Sequence, residues 1–135
     1  MAQSVVDLEQ RRYERGRQIV DKLDRDADDK VIAALSDIAP DFSRYIFEFA
    51  FGDIYSRPGL DLRSREIAAI ASLAALGNAS AQLRVQIEAA MNIGLDRDEI
   101  IGLIIQTAVY SGFPAAMNEL LVAKEVFSAR SRPLE

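Results

Sequence analysis

Two side chains near the middle of the chain have the type and placement to do chemistry. Glu66 is the one carboxylate on an otherwise apolar stripe, Glu66, Ile70, Leu73 and Gly77, within "LRSREIAAIASLAALG". Burial on such a face raises a carboxyl's pKa toward the working range of a general acid or base, which makes Glu66 the candidate proton carrier. Gln86 stands in the middle of the amphipathic stretch "QLRVQIEAAMNIG". Its amide can orient a carboxylate or carbonyl through the NH₂ group but moves no proton near neutral pH. Each residue also has a plainer reading: a Glu in the first turn of a helix complements the dipole, and a Gln facing a neighbouring helix is simply hydrogen-bonded. Arg57, Arg63, Arg65 and Arg84 lie in the flanking blocks. A guanidinium can grip a carboxylate in a bidentate pair, and Arg65 and Arg84 are the substrate-binding candidates among them. Tyr110, beside the "SGFP" turn, could add a hydroxyl, although an amphipathic ring at a helix end is common.

Composition removes most other chemistries. The 135 residues include no Cys and no His. That excludes a disulfide framework, a Cys zinc site and a thiol redox cycle, and it removes the commonest general base and metal ligand. No cluster combines carboxylates at ligand spacing with His or Cys, so neither a metal nor a cofactor is expected. The net charge of −5 gives no footprint for a polyanion, so nucleic acid is not an expected partner. The N-terminal "MAQSVVDLEQRRYERGRQ" lacks an apolar signal core, and no run approaches the roughly 18 apolar residues of a membrane span. A soluble, cytoplasmic protein with no membrane partner is the expectation.

The elements that must position these residues all read as helices. The length suits a single domain over 1–135, with an N-terminal helix at about 1–25 and a core at about 40–130. Seven helical segments are predicted. The first, Val5 to Leu23, carries Leu8, Arg12, Arg15, Ile19 and Leu23 on adjoining turns, a thin stripe suited to lying across the outside. Asp28 and Asp29 are expected to cap "KVIAALSDIA". Pro40 suits the first turn of "PDFSRYIFEFAFGDIYS", where Phe42, Ile46, Phe49 and Ile54 recur at helical spacing. Asp61 opens the helix of Glu66, Asn78 or Ser80 opens that of Gln86, and Gly77 and Gly94 stand where C′ glycines are expected. In "DRDEIIGLIIQTAVYSG", Asp96 followed by Glu99 resembles a capping box, which favours helix over strand despite the β-branched residues. Ile100, Ile101, Leu103, Ile104, Ile105, Ala108 and Val109 then surround that helix. A helix apolar all round must be buried on every side, either as a central helix or partly against another subunit, and an oligomer is expected. The last helix starts at Pro114, and the tail "SRPLE" follows it.

The blocks "YERG", "FAFGDIYSRPGLDLRSREIAAIASLAALGN", "QLRVQIEAAMNIGLDRDEI" and "IIQTAVYSGFPAAMNELLVAKEVF" resemble, in order and spacing, the carboxymuconolactone decarboxylase family over Tyr13 to Phe127. The resemblance implies an all-α, alkylhydroperoxidase D-like fold with a central helical hairpin, assembled as a hexamer of paired subunits. It places the family's "RE" pair on Arg65 and Glu66. Where the decarboxylase branch usually has His, this chain has Gln86. Where the peroxidase branch has a Cys-x-x-Cys pair, it has Ala79 and Gln82. Phe51 stands where the family often has Trp.

Loss of CO₂ from an unsaturated lactone acid leaves an enolate-like carbanion, which needs donors around its oxygens and an acid to protonate carbon. Two function classes stay open. The resemblance implies a small carboxy-lyase acting on a carboxylated lactone or related product of aromatic breakdown, with Glu66 as acid and base. The alternative is a non-catalytic member that binds a small carboxylated molecule after losing the usual His. Thiol peroxidase activity is disfavoured, because a thiol mechanism needs a thiol.

Overall fold

Glycine turns and one capping box fix several of the helix boundaries in the computed structural model, which describes residues 2–133. Leu134 and Glu135, the end of the tail, lie outside the described residues, as does the side chain of Asp28. The elements in chain order are α1 (Ala2–Leu23), α2 (Ala27–Leu35), α3 (Phe42–Tyr45), a π-helical segment (Ile46–Tyr55), α4 (Leu62–Leu76), α5 (Ser80–Asn92), α6 (Arg97–Ser111) and α7 (Phe113–Arg130). The described residues contain no strand, so the fold is all-α. None of these helices is long and apolar enough to cross a membrane. Contacts divide the chain into two compact units, one up to Asp61 and one from Leu62 onward.

In the first unit, α1 packs along the π-helical segment with two glycines at the crossing. A Cβ on Gly16 would fall 1.8 Å from the carbonyl oxygen of Phe47, and one on Gly52 would fall 2.3 Å from that of Arg12. No side chain larger than hydrogen fits either place. Gly16, Val20 and Leu23 form the buried stripe of α1. The stripe expected from Leu8 through Arg12 and Arg15 is therefore displaced, and Leu8 is exposed. Polar groups tie the two helices together as well. Arg12 Nη2 donates to Asp53 Oδ2 at 2.7 Å, and Arg44 bridges Glu48 at 2.5 Å and Glu9 of α1 at 3.1 Å. The rings of Tyr13 and Phe47 meet edge to face.

Three expectations fail here. The third helix starts at Phe42 behind Asp41, so Pro40 precedes it rather than occupying its first turn. Asp28 and Asp29 lie inside α2, whose N-cap position is Asp26, with no side-chain cap bond. The largest difference is on the third helix, where Phe42, Phe49 and Ile54 are exposed while Ser43, Phe47, Glu48 and Gly52 are buried. Wider π turns, closed by i→i+5 bonds, shift which positions share a face, so a stripe read at α-helical spacing points the wrong way.

The second unit holds the main hydrophobic cluster, built from Ile70, Leu83, Ile87, Ala90, Ile100, Ile104, Ala123 and Val126 on all four of its helices. The short turn Gly77–Asn78–Ala79 folds α5 back on α4 as a helical hairpin. Gly77 takes φ +72°, as a C′ glycine should. At the end of α5, Leu95 N–H donates to Ala90 and Gly94 N–H to Met91, a Schellman closure with Gly94 at φ +107°. Ser80 is the first residue of α5 and the N-cap position is Ala79, so neither Asn78 nor Ser80 caps that helix. The capping box at Asp96 and Glu99 forms in full, with both reciprocal bonds present. α6 packs on α4 and α7 through Ile100, Ile104 and Thr107. Its opposite face, including Ile105, Val109 and Tyr110, is exposed.

Candidate functional site

α4 and α5 are the two arms that carry the sequence-derived candidates. Glu66 occupies the first part of α4 and is 0% exposed. It shares a stripe with buried Ile70 and Ala74, at the four-residue spacing that keeps side chains on one helix face. Gln86 lies on α5 between the buried Leu83 and Ile87. The amide is half-buried, and its Oε1 is sealed from solvent with no hydrogen bond from any described residue. A buried acceptor left open in this way costs about 1–3 kcal/mol unless a ligand or water completes it. The amide can be turned about its last bond, so the open position can offer either an acceptor or an NH₂ donor.

The remaining candidates are distributed differently. Arg65 is half-buried next to Glu66. Arg84 is exposed and forms an ion pair with Glu125 of α7. Arg63 is likewise paired with Glu99 of α6, and Arg57 is exposed. Tyr110 is 85% exposed on the outward face of α6. It belongs to an apolar surface with Ile105, Val109, Phe113, Met117 and Leu121, not to the wall of Glu66. Glu66 and the Gln86 amide oxygen are therefore buried on α4 and α5, whereas Tyr110 is exposed on α6.

A second buried carboxyl of this unit was not singled out from the sequence. Glu119 on α7 is 0% exposed, on a buried stripe with Ala116, Val122, Ala123 and Val126. The signal was present: it is the same lone carboxylate at helical spacing among apolar positions that marked Glu66. Burial raises the Glu119 carboxyl above its ordinary value, and the hydroxyl of Ser80 at the start of α5 partly offsets this. Glu119 and Glu66 lie toward opposite ends of the α4–α5 hairpin. Glu119 neighbours Ser80, just past the turn, whereas Glu66 is ten residues, or about 15 Å of helix, before the end of α4.

Two clefts lie between α6 and α7, and neither is lined by Glu66 or Gln86. One is apolar, walled by Ile105, Phe113, Met117 and Leu120 among others. The other has two cations, Arg97 and Lys124, on its rim. Among the described residues no group of three or more acidic side chains could hold a metal ion.

Residues 40–125 match the sequence profile of the carboxymuconolactone decarboxylase family. The chain is 34% identical over 120 residues to a 4-carboxymuconolactone decarboxylase of Acinetobacter baylyi, covering 88% of this chain and 89% of that protein. It is 29% identical over 96 residues to an uncharacterized 15.0 kDa protein from the nqo9-nqo10 intergenic region of Paracoccus denitrificans, covering 70% and 72% of the two chains. A nitrosuccinic acid decarboxylase of Metarhizium robertsii is 29% identical over 84 residues, covering 62% and 57%.

Proposed function

Because the chain belongs to the carboxymuconolactone decarboxylase family, we propose that it is a small cytoplasmic carboxy-lyase that releases CO₂ from a carboxylated lactone or a related acid of aromatic breakdown. What supports this reading is a fully buried carboxyl, Glu66, on one arm of the α4–α5 hairpin and an open buried amide oxygen, Gln86, on the other. The chemistry follows from what those groups can and cannot do. The C–C bond to the carboxylate breaks and its electron pair enters the conjugated lactone, putting charge on the ring carbonyl. The amide of Gln86 and the guanidinium of Arg65 hold the oxygens of the substrate. Glu66 in its acid form delivers a proton to carbon and is reprotonated from water. Two relatives named for substrates as different as a muconolactone and nitrosuccinic acid fit this scheme, since a lactone and a nitro group can each accept the electron pair. Arg84 takes a secondary part, since Glu125 already engages it.

The reading is tested with 4-carboxymuconolactone as substrate. Glu66→Gln should lower kcat by on the order of a hundred- to ten-thousand-fold, the usual contribution of a positioned acid or base. Undiminished turnover by that variant would remove Glu66 from the mechanism. A wild type that binds the lactone without turning it over, and that Gln86→His switches on, would identify a binding member of the family instead.

We also propose a homo-oligomer, a hexamer by analogy with the family. The exposed apolar side chains Ile105, Val109, Tyr110, Phe113, Met117 and Leu121 on α6 and α7 support it, since large exposed apolar areas mark interfaces. Light scattering should give a mass several times 14.9 kDa, and a monomer at micromolar concentration would rule the assembly out.

A further inference from the structure

The arginines of the second unit whose side-chain bonds are resolved are mostly spent on partners. Arg63 holds Glu99, Arg84 holds Glu125, and Arg130 donates to Asn92. Arg97 and Lys124 are not spent in this way. Neither Arg97, the first residue of α6, nor Lys124 of α7 forms an ion pair with any described residue. Both line the same cleft of about 310 Å³ between α6 and α7. The carboxylate next to Lys124 in sequence, Glu125, is already engaged by Arg84, so it does not neutralise the lysine.

The rest of the cleft favours a flat ligand. Ile101 and Leu120 supply apolar wall, and the guanidinium of Arg97 lies over the ring of Phe127 at 5.4 Å. A guanidinium held over a ring by this cation–π contact keeps N–H groups with which to grip a carboxylate. Ser128, one turn past Lys124, also faces the cleft, and its hydroxyl makes no hydrogen bond with a described residue. The cleft thus combines two uncompensated cations, an unused hydroxyl and an aromatic floor, in a volume at the lower end of small-molecule sites.

We propose that this cleft is a second binding site, for a small planar dicarboxylate, separate from the Glu66 and Gln86 pair. One carboxylate takes the edge of Arg97, the other meets Lys124 and the Ser128 hydroxyl, and the unsaturated body lies against Ile101 and Leu120. An acidic protein attracts such a dianion only where cations are locally unmatched, and these two meet that condition. The site shares no residue with the proposed decarboxylation centre, so the two readings stand or fall separately.

The probe is phthalate, a planar dicarboxylate, titrated into the full-length protein labelled for heteronuclear NMR. Saturable shifts are expected at the amides of Ile101, Leu120 and Ser128, with a Kd in the range of roughly 0.1–1 mM. Arg97→Gln and Lys124→Gln, both at exposed positions, should each weaken binding by about tenfold, the loss of one charge-assisted contact. Benzoate should bind more weakly and dimethyl phthalate not at all, while Glu66→Gln should bind phthalate like the wild type. Shifts that centre on other residues, equal affinity for the neutral ester, or unchanged affinity in both charge variants would each overturn the proposal.

Discussion

The two units treat buried polarity in opposite ways. Near the N-terminus, each acidic group at the helix contact meets a cation: Asp53 meets Arg12, and buried Glu48 meets Arg44. The Arg12 guanidinium holds the Asp53 carboxyl below the usual carboxylate range. Beyond Leu62 the contrast is Glu119, sealed among aliphatic side chains with only a serine hydroxyl to offset the cost of charge. Ion pairing lets a small helical unit with a modest core keep the Asp53 carboxylate ionised at its seam. A larger aliphatic core instead pushes a carboxyl toward its neutral form, the form that can hand over a proton. The difference teaches where acid chemistry can be hosted: in the four-helix unit, not in the ion-paired one.

The strongest way to break the comparison is at the glycine crossing. Gly16→Ala would force a methyl group against the Phe47 carbonyl, where only main-chain movement can make room. A loss of about 3 kcal/mol is expected, near the upper end for overpacking. Hydrogen exchange should accelerate first in α1 and the π-helical segment. Unchanged protection there would mean that the close approach is not what holds the unit together.

A smaller effect, of opposite sign in the two units, should appear with pH. The folded-state pKa of Glu119 is raised, so its stabilising contribution is present below the unfolded value and disappears as pH rises through the folded one. That of Asp53 is lowered, so its contribution is present above the unfolded value and disappears as pH falls through the folded one. Glu119→Gln should therefore stabilise the protein at alkaline pH, on the order of 1 kcal/mol, and remove a slope of at most about 1.4 kcal/mol per pH unit. Asp53→Asn should cost about 1 kcal/mol near neutrality, as for a partly exposed pair, and little at pH 3. Denaturant midpoints measured from pH 3 to 9 separate the two. Parallel pH profiles for both variants would erase the contrast between the units.

What could be read from the sequence was what the chain decides locally. The Asp96–Glu99 box and the glycines at 77 and 94 depend on neighbours within a few residues, and each forms as expected. The α4 stripe correctly placed Glu66 inside, because a period of three to four residues holds along a straight α-helix. The π winding after Tyr45 was not legible, since it accompanies a close approach between Gly16 and Gly52, two residues far apart in sequence. Of the apolar girdle of α6, the inner side packs on α4 and α7 while Ile105 and Val109 stand outside within one chain, so the central-helix alternative does not hold for that face. The ion pairing of Arg84 depends on Glu125 on another helix, and no pattern within α5 announces it.

The glycine crossing also bears on how this sequence can drift over evolutionary time. A crowded core position is usually rescued when a neighbouring side chain shrinks, so losses and gains of volume can be inherited as compensating pairs. At Gly16 the obstacles are the carbonyl of Phe47 and the backbone nitrogen of Gly52, and at Gly52 they are the carbonyls of Arg12 and Phe47. Main-chain atoms are the same whatever residue bears them. No second substitution nearby can make room, so these two positions are closed to exchange while the side chains around them remain open to it.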